Sequence, residues 1–428
     1  MFSVESRDLG RFDVVVCGGG VAGLCAAVRA GENGAKVLLI EVEGCLGGTM
    51  TAAFMPHILD ADNKGGIIRA MFDFLNAHEM TVARRAPKVD ASGRRIPGRL
   101  IDTEGAKYFF DRLCEQAGVR VLFHSRAAAA EMDGSRIRRV LIASECGNYA
   151  ASAPIFIDAT GNGNLAALAG CAWECGDPAE GRPSPASMSV CAAGFPLDCD
   201  GTDSGAAKTQ YGEMLRQNGI ELSSTQGSLV RLPSLRTWSM GINFEYDVMP
   251  DDIGTLSDAT VRSRKEVFEV MEAHKKIPGY EDVFTVFTGP RLGIREGRRV
   301  FGLYRITDDD ILAGQRFEDG ICLVTAGVDV HKLKPDDTIE VSRGYRSKPY
   351  HIPYRSLVAR DCENLLLAGR CLSGDFYPHA SYRMMGNMAA TGEAAGFAAA
   401  KCAAEGLLPA AFDGSRAKTY MESRGYQL

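Results

Sequence analysis

Residues Asp13 to Glu41 constrain the fold more than any other stretch: an apolar strand (Val14, Val15, Val16), the turn Gly18-Gly19-Gly20-Val21-Ala22-Gly23, a helix of small residues, and a second strand, Val37 to Ile40, closed by Glu41. This order is that of a dinucleotide cradle. Gly18 allows the tight turn, Gly20 lets backbone approach a pyrophosphate, and Gly23 lets the helix pack on the strand. The helix N-terminus then offers unpaired N–H groups to the phosphates. Glu41 stands 21 residues after Gly20, where a carboxylate holds a ribose hydroxyl.

A chain of 428 residues with 46% apolar content can bury one large core or two smaller ones, and two domains are expected. Its net charge of −6 gives no overall basic field for nucleic acid or an anionic membrane. No stretch approaches the roughly 20 apolar residues of a membrane span, and Met1 to Arg11 lacks a secretory apolar core, so a cytoplasmic location is expected. The 13 cysteines are scattered through apolar segments without C-x-x-C pairs. They read as small core residues rather than as a disulfide framework or a zinc site. No metal site is expected.

Further along, a helix is predicted over Ile67 to His78, another from Thr103 with Tyr108, Phe109, Leu113 and Cys114 on one face, and strands over Val119 to Phe123 and Ile137 to Ala143. Residues Arg84 to Arg99 carry Arg84, Arg85, Lys88, Arg94, Arg95 and Arg99 between prolines and glycines; they read as a solvated loop, with an anion-steering entrance as the alternative. Pro154 to Gly161 is a buried strand running into a turn. The glycines at Gly161 and Gly163 echo the first fingerprint, but no second strand ending in an acid follows at the right distance, so a second nucleotide domain is rejected. From Cys171 to Tyr350 the texture changes to short strands and one clear helix, Ser257 to His274. Leu365 to Gly369 is again a buried strand, and Asn387 to Ala404 an Ala-rich helix. The expectation is a discontinuous nucleotide domain (10–55, 100–172 and 351–410) with a substrate or cap domain from 56–99 and 173–350.

Taken together, FDVVVCGGGVAGLCAAVRAGENGAKVLLIE, CLGGTMT, IFIDATGNG, GIREGRRVFGLYRIT and IPYRSLVARDCENLLLAGRCLSG, in this order and followed by an Ala-rich helix, resemble the bacterial FAD-dependent oxidoreductase family of the glutathione-reductase-like superfamily. The resemblance implies an α/β fold, a Rossmann-like FAD-binding domain of glutathione-reductase type with an inserted mixed α+β substrate domain. It implies FAD pyrophosphate at Gly18, Gly20 and Gly23, ribose at Glu41, further phosphate and flavin contacts at Gly47, Gly48 and Thr49, and backbone contacts from Asp158 to Gly161. Gly369 and Arg370 close the strand beside the ribityl chain, where relatives in the wider superfamily carry Gly-Asp. Gly386 and Asn387 bring a helix N-terminus to the pyrimidine edge of the flavin.

A flavin accepts the hydride itself, so the protein must orient a donor carbon and handle one proton. His379 is the expected proton acceptor, Tyr382 a relay and Arg383 a carboxylate or oxyanion partner, with a structural imidazole at His379 and a clamp at Arg383 as alternatives. Among Arg291, Arg295, Glu296, Arg298 and Arg299, Arg295 is the candidate for the site, and acids Asp308 to Asp310 are candidate neutralisers. His351, Tyr354 and His57 are weaker candidates, His57 also as a covalent flavin tether. Cys45 precedes Gly47 with no second cysteine four or five residues on, which argues against a dithiol mechanism. The expected activity is oxidation of a small polar organic substrate by hydride transfer to FAD, with the electron acceptor and any homo-oligomer left open. The alternatives are a flavin monooxygenase and a non-catalytic electron-transfer subunit.

Overall fold

The computed structural model describes residues 5–83, 88–89, 95–96, 99–196, 199, 201–202, 204–224, 226–233, 236–335 and 345–428. The side chains of the Arg84 to Arg99 basic run lie outside the described residues, so the choice between a solvated loop and a steering entrance does as well.

The first strand, Val14–Cys17, is buried along its whole length, as are Val37–Ile40, Ile155–Asp158 and Leu365–Leu367. Unbroken apolar runs of this kind suit a parallel sheet covered on both faces. The sheet order is Leu365–Leu367, Ile155–Asp158, Val14–Cys17, Val37–Ile40, Arg120–Leu122, with every pairing parallel. Register aligns Cys17 with Ile40 on one side and with Asp158 on the other, and Asp158 with Leu367. The carboxyl ends of four strands, separated by up to 350 positions in the chain, therefore meet at one edge, the edge at which open α/β sheets bind ligands. This is a Rossmann-like fold.

Helix Val21–Glu32 lies against the long helix Met385–Glu405, and the contact is made by glycine on one side and bare carbonyls on the other. A Cβ on Gly392 would stand 2.0 Å from the Ala22 carbonyl oxygen, and one on Gly396 would stand 2.1 Å from that of Ala26. No side chain larger than hydrogen fits there. Beside these glycines, fully buried Glu393 accepts from Arg29 Nε (2.7 Å), the Ile67 backbone N–H (2.7 Å) and Tyr426 Oη (2.8 Å). One carboxylate thus ties together the cradle helix, the long helix, helix Gly66–Ala77 and the C-terminal segment.

The apolar residues form two large clusters. The first contains the parallel sheet, its helices and Ile137, Val140 and Ile142 of the adjoining sheet Arg7–Arg11, Gly147–Ser152, Arg136–Ser144, Ser125–Asp133. The second gathers residues between Ala186 and Leu292 around fully buried Trp238, under the antiparallel sheet Ser228–Arg231, Thr237–Gly241, Ser189–Ala193, Phe284–Thr288. Ile67, Ile68, Met71 and Phe72, and also Val300, Ile306, Ile321 and Val324, belong to the first cluster, although the sequence assigned their segments to the cap. The second core is correspondingly smaller than 173–350.

Three local expectations change. Helix Gly205–Gln217 was not anticipated; Ser204 starts it by accepting from the Ala207 N–H. The helix expected from Ser257 begins at Ile253, because Asp252 accepts from the N–H groups of Gly254 and Thr255. In helix Thr103–Gln116 the inward face is Ala106, Phe109, Phe110 and Cys114, while Tyr108 is 57% exposed, one position off the 3.6-residue period.

Replacing Glu393 by Ala leaves Arg29 buried beside a cavity and strips acceptors from two other donors. The expected loss is about 3–5 kcal/mol, read as a lowered denaturation midpoint, with Glu393→Gln falling between the variant and the parent.

Candidate active site

The strand-end edge opens into a cavity of about 600 Å³ that runs from the glycine turns to the wall of the second core. That volume lies within the roughly 300–1,000 Å³ of cofactor and small-molecule sites. One flank is the cradle. Gly18 has φ +98° and donates its N–H to the Ile40 carbonyl at 2.7 Å, and a Cβ on Gly23 would fall 1.7 Å from the Gly18 carbonyl oxygen. Protein packing alone demands glycine at both positions. Gly20 differs: a Cβ there would meet no protein atom closer than 3.9 Å, and the residue lines the cavity at the N-terminus of helix Val21–Glu32. Its bareness serves something that lies in the cavity.

Glu41 is buried at the end of its strand, with one carboxylate oxygen accepting from the Gly19 N–H and the other from the Glu43 N–H at 2.8 Å. Burial raises its pKa above the usual carboxylate range, against the lowering effect of those two donors. The second glycine turn is pressed onto the first: Gly47 N–H donates to the Gly19 carbonyl at 2.9 Å, and a Cβ on Gly48 would lie 2.9 Å from Gly20 Cα. Gly47, Gly48 and Thr49 all line the cavity. Asp158 does not. Buried under the sheet edge, it accepts from Thr160 N–H (3.0 Å), Thr160 Oγ1 (2.7 Å) and Ala166 N–H (2.8 Å), which shapes the turn that presents Thr160, Gly161 and Asn162 to the cavity. Burial raises the Asp158 carboxyl.

Gly369 and Arg370 line the opposite flank. Arg370 donates to the Gly161 carbonyl at 3.0 Å, to Asn162 Oδ1 at 2.7 Å and to the Ile294 carbonyl, all neutral acceptors. Burial, then the charges of Arg291 and Arg383, bring its pKa down to about 10. Met384, Met385 and Met388 bring the start of the long helix to the cavity, so a helix N-terminus does face it. Gly386 and Asn387 point the other way. A Cβ on Gly386 would lie 2.0 Å from the Asp60 carbonyl oxygen, and Asn387 Nδ2 donates to the Asp60 carboxylate at 2.9 Å. They anchor the helix start rather than line the cavity.

The far end is polar. Arg295 Nη1 donates to the Pro185 carbonyl (2.6 Å) and Ser187 Oγ (2.8 Å), and its guanidinium lies 5.1 Å from the centre of the Phe244 ring. Burial, then Arg383, lower its pKa to about 10. Arg383 donates to the Asp329 carbonyl at 2.7 Å, to its carboxylate at 3.4 Å and to the Arg295 carbonyl at 3.3 Å. His331 packs against Phe244 with ring centres 4.9 Å apart and planes tilted by 47°, and its Nε2 lies 3.7 Å from Asp329 Oδ1. Burial is the main reason its pKa falls to about 4, with Arg295, Arg383 and Lys208 adding to the fall and Asp329 opposing it. The imidazole is therefore neutral at physiological pH. Nothing in the sequence singled out His331; it sits in a loop without periodicity.

His379 and Tyr382 require correction. Both are buried behind Arg370 and neither lines the cavity. His379 Nε2 bonds the Arg370 carbonyl at 3.2 Å, its pKa is held well below the ordinary value by burial and by Arg299, Arg383 and Arg370, and Tyr382 Oη donates to the Leu372 carbonyl at 3.1 Å. Helix Phe376–Tyr382 turns this face inward, so the roles of proton acceptor and relay do not fall to them. Of the arginine cluster, Arg291 and Arg295 reach the cavity, whereas Arg299 pairs with Glu296 and Glu174. Asp308 to Asp310 instead start helix Asp308–Ala313, where Asp310 completes a capping box with Thr307. His351 bonds Arg316, Tyr354 donates to the Pro409 carbonyl, and neither lines the cavity; His57 does. Burial raises the Cys45 thiol, so it is not an activated nucleophile.

The model of the family described as FAD dependent oxidoreductase matches residues 13–421. The chain belongs to this family. It is an FAD-dependent oxidoreductase, with FAD as its cofactor. Over 37 residues the chain is 60% identical to dihydrolipoamide dehydrogenase of Chaetomium thermophilum, and over 38 residues 60% identical to glutathione reductase of Schizosaccharomyces pombe. Each match covers 9% of this chain and 7% or 8% of the relative. Among solved structures, p-nitrophenol 4-monooxygenase PnpA from Pseudomonas putida DLL-E4 aligns with TM-score 0.51 and 12% identity, over 97% of this chain and 85% of that one. The flavin-dependent brominase Bmp2 aligns with TM-score 0.50 and 14% identity, over 96% and 83%. These likenesses show the fold. Among the described residues no helix is long and apolar enough to cross a membrane.

Two substitutions separate cofactor binding from folding. Gly20→Val points into the cavity and should give a folded protein, with a melting temperature near the parent's, that retains no yellow cofactor on purification. Gly23→Val strikes the Gly18 carbonyl and should fail to fold. Absorbance in the flavin bands together with a thermal melt reads both.

Proposed function

We propose that the chain oxidises a small polar organic molecule held at the far end of the cavity. The observation that carries this reading is the continuity of the cavity, which runs from the FAD cradle to a wall of paired polar side chains in the second core. FAD, when bound, would supply the two-electron acceptor for the hydride. Arg295 and Arg383 orient the substrate through their remaining N–H groups. His331, neutral and facing the same space, takes the proton released from a hydroxyl or amine as the hydride leaves. His379 serves as a positioning residue behind Arg370.

The same reading places FAD in a discontinuous domain of glutathione-reductase type, supported by the two short matches to dihydrolipoamide dehydrogenase and glutathione reductase, both confined to under a tenth of the chain. The cysteines form no disulfide among the described residues, which supports work in a reducing compartment such as the cytoplasm. A second reading, a flavin hydroxylase, is favoured by the fold likeness to PnpA. It requires NAD(P)H to bleach the flavin and oxygen to enter the product.

Anaerobic mixing of the FAD-loaded protein with hydroxy acids, polyols, amines and amino acids tests the first reading. At least one class should bleach the flavin, and bleaching by NAD(P)H alone would favour the hydroxylase. His331→Asn should slow that bleaching by about 10²-fold or more without loss of FAD, whereas His379→Ala should change the rate far less. Because His331 is already neutral above about pH 4, this group should add no pH dependence to the rate between roughly pH 5 and 8.

A further inference from the structure

Resting on the oxidation reading above, we propose that the substrate is a small carboxylate, anchored by Arg383 and Arg295 with Asn243 beside them. Among the described residues that line the cavity six are cationic, Arg126, Lys208, Arg291, Arg295, Arg370 and Arg383, against two anionic ones, Glu41 and Asp329. The chain as a whole carries a net charge of −6, so the surplus is local to the cavity. The two phosphates of FAD offset two of these charges and leave the cavity still positive.

At the far end Arg295, Arg383 and Lys208 line the cavity with Asp329, the one acid among the described lining residues there, and Glu296 also acts on Arg383. Arg383 is near enough to lower the pKa of Arg295, and the hydrogen-bond acceptors of Arg295 are neutral. Two neighbouring guanidinium groups whose hydrogen bonds go mostly to neutral oxygens are costly to withdraw from water, and a bound anion relieves that cost. Donors are also in excess. Arg383 Nε and Asn243 Nδ2 are buried without an acceptor among the described residues, although both residues line the cavity. Asn243 has already used its oxygen on the Met188 N–H at 3.0 Å. What this wall lacks is acceptor oxygens, and a carboxylate brings two in one plane, matched to the guanidinium fork.

Carbon skeleton rather than bare phosphate is indicated by the neighbours. Phe244, Met188 and Ile294 line the same end, so the anion has an apolar body to cover. A carboxylate seated on the two arginines also changes His331, which is faced by Asp329, Arg295, Arg383 and Lys208. By offsetting the arginine charges it makes the imidazole a stronger base as the substrate arrives.

The test is a titration of the FAD-loaded protein with acetate, succinate and benzoate, with inorganic phosphate and glycerol as comparisons, following the visible flavin spectrum and the heat of binding. At least one carboxylate should give a saturable spectral shift, and Arg383→Met and Arg295→Met should each weaken it about tenfold or more, with Arg383→Lys recovering part of the loss. Asn243→Asp, which adds a negative charge to the anchor, should also abolish carboxylate binding and stands in for any arginine variant that fails to retain FAD. The proposal is overturned if no carboxylate binds, if phosphate or glycerol binds and carboxylates do not, or if FAD-loaded Arg383→Met or Asn243→Asp binds carboxylates as the parent does. Anaerobic bleaching is read separately. Carboxylate binding without bleaching by any substrate sinks the oxidation reading alone, and bleaching by neutral polyols without carboxylate binding sinks this inference alone.

Discussion

The close crossing of helix Val21–Glu32 and helix Met385–Glu405 is the contact on which the rest of the molecule depends. Glycine at 392 and 396 lets two helix backbones touch where any side chain would hold them apart. Such contact is dense and short-ranged, and it gains dispersion and weak Cα–H···O contacts that a looser crossing forfeits. Its consequence is positional. The crossing sets the first and last fifths of the chain against each other, so Met384, Met385 and Met388 reach the cavity that Gly18 and Gly20 open. Glu393, in the same helix, converts that packing into a charged clamp on Arg29.

Upon this frame the cavity acquires an electrostatic character opposite to that of the chain. Arg370 enters from the last strand, Arg295 from the segment after the second core, and Arg383 from the turn before the long helix, each half-buried and each with a pKa lowered first by withdrawal from solvent. Charges that close are tolerable only where hydrogen bonds hold them and anions are to come. The carbonyls of Gly161, Ile294, Pro185 and Asp329 do the holding. Asp60 plays a comparable part outside the cavity, accepting from Thr325, Ala326 and Asn387 and so fixing the start of the long helix.

Reading the sequence located the strand, the glycine turn and the strand-end acid of the first unit, since these are local patterns enforced by sterics and backbone hydrogen bonding. Buried strands and the Ala-rich helix were legible for the same reason. Helix Gly205–Gln217 escaped because its apolar face, Tyr211, Gly212 and Leu215, is small and mixed with polar residues. Tyr108 was taken as inward because aromatic content outweighed phase, whereas Phe110 holds the buried position. His379 stood at the right place in the order of segments and on the wrong face of its helix. His331 had no pattern to announce it, as its loop becomes part of a site only through contact with Phe244 and the two arginines.

By itself, then, the sequence determined the nucleotide-binding half: a Rossmann-like chain whose glycines can serve only a close approach of backbone to backbone or of backbone to phosphate. Those requirements are short-range, and each is written within thirty residues. Which cations share a wall, which histidine faces the cavity and where the second core ends were decided by tertiary structure alone. They depend on side chains from residues 187 to 383 converging across loops, and neither charge nor burial has a period that a linear reading can follow.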